Sequence, residues 1–324
     1  MIRLPSFRVI EPASLEEAVG VLADLGPQAA LVAGGTGLLP NMKRRTATPG
    51  VVVSLGRVPG LARLERRADR SAWIGSGVTL DVLAADRSWA PGQAAAEVAS
   101  PQIRAMATVG GNLCVETRCN FYDMTEEWRE AVGWCLKSGG DICQVAPKGD
   151  KCWAVVSSDL APVMVAVGAV FHVVGPAGER QIEADDFYRD DGLSHMTLAP
   201  GEILIGVALP PHGRAGYRKV RRRGAIDFPI LGVAASLSGD PIITEARIVL
   251  GAVAPRPLRA HAAEDLLAGQ PLSDPPIDEA AALTAKVARP LDNTDLTPRY
   301  RRRMVAVTTS RLLTDLCDAN ASAG

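Results

Sequence analysis

Cys119, Cys135, Cys143 and Cys152 follow one another at intervals of 16, 8 and 9 positions, in a chain with six cysteines. Four thiolates that converge can hold either Zn²⁺ or an iron–sulfur cube. The paired C-x₂-C knuckles of structural zinc are missing, which weakens the zinc reading and leaves it open. Two glycine-rich stretches offer a different chemistry. One is Leu31-Val32-Ala33-Gly34-Gly35-Thr36-Gly37-Leu38 and the other is Thr108-Val109-Gly110-Gly111-Asn112. Glycine lets backbone N–H groups approach a phosphate and tolerates positive φ, and Thr36 adds a hydroxyl donor. Neither stretch is G-x-G-x-x-G, so a Rossmann site has no support. Taken singly, each reads as readily as a tight turn.

Something must position these residues. With 324 residues the chain is long enough for two or three domains. It is 47% apolar with a net charge of −1, which excludes a disordered chain and a polyanion-binding one. The longest apolar run, 161–174, is broken by Pro162, Gly168 and His172 and is too short to span a bilayer. The first residues lack a secretory pattern, so the cytoplasm is expected, where clustered cysteines suggest metal before disulfides.

The S-x-x-E box at Ser14 and Glu17 starts a helix that Gly26-Pro27 ends. Strands are expected at Ala29–Ala33, Val51–Leu55 and Trp73–Gly75, with Thr79 capping a helix through Ala85. Residues 113–156 break this alternation, being polar, cysteine-rich and aperiodic, as functional segments often are. Beyond Pro210-Pro211, strands are expected at Tyr217–Arg222, Ile230–Ser238 and Ile243–Val253, with helices at about 257–268 and 298–317. The reading is α+β: 1–55 and 56–211 as two α/β subdomains of one binding domain, with an insertion at about 113–156, then a C-terminal α+β domain, 212–324, built on an antiparallel sheet with helices.

Several short motifs recur in a fixed order. They are the two glycine stretches with Gly75-Ser76-Gly77-Val78-Thr79 between them, Ser158-Asp159-Leu160-Ala161-Pro162, Gly201-Glu202-Ile203-Leu204, the set Lys219, Arg223 and Asp227, and Leu250-Gly251-Ala252-Val253-Ala254-Pro255. In this order they resemble the FAD-binding subunit of the molybdenum hydroxylase (xanthine dehydrogenase) family, through nearly the whole chain. The resemblance implies a PCMH-type FAD domain in which residues 31–38 and 108–112 bind the pyrophosphate and ribityl regions. It also implies that Asp159 binds ribityl or ribose hydroxyls, that Leu204 packs on the flavin ring and that Lys219 lies near it. A carboxylate accepts from hydroxyls and a cation stabilises reduced flavin, so those residue types suit the roles. The plain alternative for Asp159 is a helix N-cap. No histidine stands in an Arg-Ser-Gly-Gly-His-like context, so the FAD is expected to be non-covalent.

Asn112 and Asp159 lie 47 positions apart, where ordinary members of that family bridge the same motifs in a much shorter run. The added segment holds the four spaced cysteines and resembles that of the 4-hydroxybenzoyl-CoA reductase branch, which implies a [4Fe–4S] cluster on Cys119, Cys135, Cys143 and Cys152. Cys114 and Cys317 are expected to be packed residues outside it, and Trp128, Trp134 and Trp153 to shield it. The basic runs 218–223 and 299–303 are expected at a flavin or subunit interface or on solvated surface, since the net charge speaks against nucleic acid.

The resemblance implies an electron-transfer subunit of an aryl-CoA reductase, with molybdopterin on a large partner subunit, [2Fe–2S] centres on a small one, a dimer of such heterotrimers, and ferredoxin as donor. Two alternatives are a similar subunit of another molybdenum hydroxylase, oxidising an N-heterocycle or an acyl-CoA, and a non-enzymatic zinc-stabilised binding module.

Overall fold

The computed structural model describes residues 2–318 and is an α+β protein with three sheets. The first sheet is parallel, with β1 (Arg8–Ile10), β3 (Val51–Ser54) and β2 (Ala29–Val32) side by side in that order. Its helix α1 (Leu15–Leu25) begins where expected. Ser14 Oγ accepts from Glu17 N at 3.1 Å, and the Glu17 carboxylate accepts from Ala13 N at 2.7 Å. Gly26, at φ +50°, ends it. Ala18, Val19 and Leu22 face Val51, Val53 and Ile203 in a small core of their own. Helix α2 (Leu38–Lys43) follows the first glycine stretch directly.

The second sheet is antiparallel, in the order β4 (Leu64–Arg66), β5 (Ala72–Gly75), β8 (Ile203–Leu209), β6 (Val170–Gly175), β7 (Gly178–Glu183). Short helices connect its halves: α3 (Leu80–Ala84), α4 (Ala90–Ala96), α5 (Pro101–Arg104), α6 (Val109–Leu113), α7 (Glu126–Ala131) and α8 (Leu160–Ala166). Every residue of α8 is buried. The helix shares one core with Phe171 and Val207 of the second sheet and with Ala234 and Val249 of the third. Burying side chains such as Val163 and Met164 contributes ~1.5–3 kcal/mol each, so α8 is the pin between the two sheets.

The third sheet is antiparallel, in the order β12 (Leu258–Arg259), β11 (Glu245–Gly251), β10 (Leu231–Ser238), β9 (Arg214–Val220). Helices α9 (His261–Leu267), α10 (Ile277–Val287) and α11 (Pro298–Asp318) complete this part. Two expectations shift here. The sequence predicts helix from about 257, but Leu258 and Arg259 pair with Leu250 and Val249 before α9 begins. Helix α10 carries no clear signal in the sequence. Its buried residues are only Ala280, Ala281 and Thr284, too small to mark an apolar stripe. Among the described residues no helix is long and apolar enough to cross a membrane.

Candidate functional site

The first glycine stretch leaves β2 and enters α2, and packing dictates its composition. A Cβ on Gly34 would lie 1.7 Å from the carbonyl oxygen of Met106, so only glycine lets the two chain segments touch. Gly35 takes φ +73°, a conformation other residues rarely adopt. Among the described residues, the N–H groups of Gly34, Gly35, Thr36 and Gly37 find no protein acceptor. Four such donors and the Thr36 hydroxyl make a cradle suited to an anionic phosphate group. In chemistry, the stretch fits the pyrophosphate of FAD.

The second stretch differs from the loop expected. It is the capped helix α6, with Thr108 Oγ1 accepting from Gly111 N at 3.1 Å. Val109 N bonds Val78 O at 2.8 Å, Gly110 N bonds Ser76 O at 2.8 Å and Asn112 N bonds Thr108 O at 2.9 Å. These N–H groups are already used, so among the described residues Val109, Gly110, Gly111 and Asn112 offer no free backbone donor, whereas residues 34–37 do. Gly110 is needed because a Cβ there would come within 2.7 Å of the Ser76 Cβ. Ser76 N in turn bonds Ile205 O at 3.0 Å. The structure therefore gathers residues 34–37, 75–79, 106–112 and the start of β8 along one seam. Leu204 itself is 5% exposed and packs in the main core.

Asp159 precedes α8 without capping it. The hydroxyl of Ser158 takes that role, accepting from Ala161 N at 2.9 Å and donating to Asn112 Oδ1 at 2.8 Å. The Asp159 carboxylate is 2% exposed and turns to β9. It accepts from Tyr217 Oη at 2.7 Å and pairs with Lys219 Nζ at 3.0 Å, while Lys219 also donates to the carbonyl of Glu97 at 3.0 Å. Burial pushes the Asp159 carboxyl up and the Lys219 ammonium down, and each charge pulls the other back towards ionisation. Asp159 and Lys219 are thus brought together, as a buried pair joining the second sheet's helix to the third sheet. Tyr217, the third member, was not singled out in the sequence, and no local motif marks it.

The four spaced cysteines converge. All are buried, and all line one small cavity with Phe121, Tyr122, Leu136 and Lys137. The free space between them is about 10 Å³, room for about one water, so the loops must part to admit a cube. Among the described residues no group of three or more His, Cys, Asp or Glu is drawn close enough to hold a metal ion. The donor set still suits an iron–sulfur cluster. Four thiols line one cavity, and N–H groups point at two of them, with Ala154 N 3.4 Å from Cys152 Sγ and the N–H groups of Phe121 and Tyr122 at Cys119. Such bonds spread the negative charge of a thiolate-bound cluster. Burial raises the Cys119 thiol to about 12 and the Cys152 thiol to about 11, so a metal has to displace their protons.

Lys137, which sequence reasoning passed over, is the cation of this cavity. Its ammonium is buried against the Glu116 carboxylate at 2.6 Å and the Thr117 hydroxyl at 2.8 Å, and it bonds the carbonyl of Gly192. The expected shielding by tryptophans is corrected: Phe121 and Tyr122 line the cavity, and Trp128 is 37% exposed. Cys114 and Cys317 lie outside the cavity and pack on the main and C-terminal cores.

The insertion is anchored beside the glycine cradle. Tyr122 Oη donates to the carbonyl of Thr46 at 3.1 Å, and Arg129 donates to the carbonyls of Arg44 and Arg45 at 3.0 and 3.2 Å. Residues 44–46 follow α2, whose six residues rise about 9 Å from the cradle. The cysteine cavity and the anion cradle are neighbours across one short helix.

Comparison with known proteins bears on the FAD-binding reading. Residues 5–212 match the family described as "FAD binding domain in molybdopterin dehydrogenase", and residues 215–316 match "CO dehydrogenase flavoprotein C-terminal domain". The chain is 30% identical over 311 residues to the carbon monoxide dehydrogenase medium chain of Afipia carboxidovorans, covering 93% of each. It is 31% identical over 311 residues to the nicotine 6-hydroxylase medium subunit of Paenarthrobacter nicotinovorans, covering 94% of this chain and 95% of that one. Its backbone superposes on a chain of Cu,Mo-CO dehydrogenase, in the cyanide-inactivated form, with a TM-score of 0.78. Identity there is 26%, over 97% of this chain and 99% of the other.

Proposed function

This chain belongs to the FAD-binding medium subunits of the molybdenum hydroxylase and CO dehydrogenase family, and from that footing we propose that it is the electron-entry subunit of a molybdenum-containing aryl-CoA reductase resembling 4-hydroxybenzoyl-CoA reductase. It is an oxidoreductase component, with the substrate site on a partner. Residues 1–55 and 56–211 form the FAD-binding part, and 212–324 the C-terminal domain. Its partners are a molybdopterin-binding large subunit and a [2Fe–2S] small subunit, assembled as a dimer of heterotrimers.

FAD and a [4Fe–4S] cluster, when bound, supply two-electron and one-electron exchange respectively. Gly34 to Gly37 hold the pyrophosphate through their free N–H groups. Asp159 would meet the ribityl or ribose hydroxyls and Lys219 would lie near the flavin ring, the two held together as a buried pair. Cys119, Cys135, Cys143 and Cys152 hold the cluster, and Lys137 offsets its charge.

One observation carries the reductase reading: four buried thiols on an insertion that docks onto the far end of the cradle's own helix. A centre there extends the route outward from the flavin, where a soluble one-electron donor can meet it. Met124, Trp128, Val132 and Ile142 stand exposed on the same insertion and offer apolar contact to such a donor. Reducing an aromatic ring needs strongly reducing electrons, and ferredoxin is the class of donor that supplies them.

The Cys135→Ser variant, assembled with its partners and retaining FAD, should lose at least ~90% of ferredoxin-driven turnover, because a cluster missing one thiolate ligand is labile. Dye-linked activity at the molybdenum site should stay within about twofold of wild type. Intact ferredoxin-driven turnover would make the four cysteines structural. It would also favour the second reading, a subunit of an oxidising molybdenum hydroxylase, for which the likeness to the CO dehydrogenase and nicotine 6-hydroxylase subunits speaks.

A further inference from the structure

A cavity of about 620 Å³ opens where the second sheet's helices meet the C-terminal domain; no residue of 31–38 or 108–112 lines it, while Tyr217 and Lys219, the partners of Asp159, stand in its wall. Its wall is drawn from four separate places in the chain. Arg66 and Arg70 come from the β4–β5 hairpin, Arg87 and Glu97 from the ends of α4, His212, Arg214 and Arg218 from the link and β9 that follow one another, and Asp315 from α11. Residues so far apart in sequence meet only because the domains pack against each other.

The charge of this cavity is one-sided. Two carboxylates line it, Glu97 and Asp315, and Glu97 is already committed to Arg221 at 2.8 Å. Arg66 is paired with Asp86, Arg214 with Asp240 and Arg218 with Asp315. Arg70 and Arg87 have no carboxylate partner among the described residues. Burial pushes the His212 imidazole down, and the nearby Arg70 and Arg66 charges add to that. Trp89, at 5% exposure, lies beneath the Arg66 guanidinium at 4.8 Å, and its indole N–H has no acceptor among the described residues. A concave site with unpaired guanidinium groups over low-dielectric walls concentrates positive potential. Its volume lies in the range of small-molecule sites.

We propose that this cavity binds a small phosphate-bearing anion, with Arg70 and Arg87 as its principal ligands and Arg66 and Arg214 as the surrounding field. Guanidinium forks match phosphate oxygens in geometry as well as charge. A diphosphate suits a site whose two free cations come from different elements.

The test uses the assembled, FAD-loaded complex, so that the glycine cradle is filled. Inorganic pyrophosphate titrated by calorimetry should bind once per copy of this chain. In the Arg70→Ala/Arg87→Ala double variant the Kd should weaken by at least ~10-fold, since each charge-assisted bond is worth roughly that much. Flavin content should not change, because neither arginine belongs to the cradle. ADP in place of pyrophosphate distinguishes the source of the anion: tighter binding indicates a nucleotide, equal binding a free oxyanion. No saturable binding to wild type, equal affinity in the double variant, or release of FAD on adding pyrophosphate would each overturn the assignment.

Discussion

Gly34→Val protein should purify with less than about a tenth of the wild-type flavin. The Cβ would stand 1.7 Å from Met106 O and 2.5 Å from the carbonyl carbon. Backbone cannot swing aside as the tip of a side chain can, so the first stretch must move off the 106–112 segment. That movement displaces the N–H groups of residues 34–37 that the pyrophosphate would need. Losing two charge-assisted bonds to phosphate costs ~3–6 kcal/mol, or roughly 10²- to 10⁴-fold in affinity. Gly111→Ala is the contrast. Gly111 is exposed, its nearest neighbour would be Thr108 Oγ1 at 3.1 Å, and its N–H is already bonded. It should retain most of its flavin. The ratio of flavin to protein absorbance after gel filtration reads both variants, with circular dichroism confirming that the chain is folded. Stoichiometric flavin in the Gly34→Val protein would refute the cradle.

Arg301→Met should lower stability by about 4 kcal/mol. Arg301 is wholly buried, and its guanidinium donates to Ile230 O and Leu291 O at 3.0 Å each and to Ala252 O. It ties the entrance of β10, the exit of β11 and the loop before α11 into one knot. Methionine fills much of the volume and leaves three buried carbonyls without donors, each worth ~1–3 kcal/mol. Part of that loss is offset, because burying the guanidinium is itself costly and pushes its pKa down to about 10. Arg301→Lys should fare little better, since an ammonium cannot span three carbonyls as a planar fork does. Urea denaturation followed by tryptophan fluorescence gives the difference directly. A change below about 1 kcal/mol would mean that water or neighbouring groups satisfy those carbonyls.

Arg301 also marks where sequence reading stops. The run 299–303 looks like a basic surface, and only its place on the buried face of α11, in line with Val305, Thr308 and Leu312, separates it from its neighbours. The α1 capping box and the extent of α11 were legible because their signals are local. Thr108–Asn112 misled for the opposite reason: two glycines suggest a loop, while the Thr108 cap and the packing on Ser76 hold a helix. The four cysteines were found through their spacing within an irregular segment, and their meeting in one cavity is a tertiary fact. Lys137, Tyr217 and the arginine-lined cavity carry no motif. They come from side chains on distant elements, and nothing short of the fold brings them together.

Iron analysis with EPR on anaerobically purified, flavin-loaded protein puts the central claim to its most direct test. The account predicts about four iron per chain, no stoichiometric zinc, and a signal from the dithionite-reduced protein that is lost in Cys135→Ser. Flavin without iron, zinc in its place, or full iron retention in Cys135→Ser would contradict it.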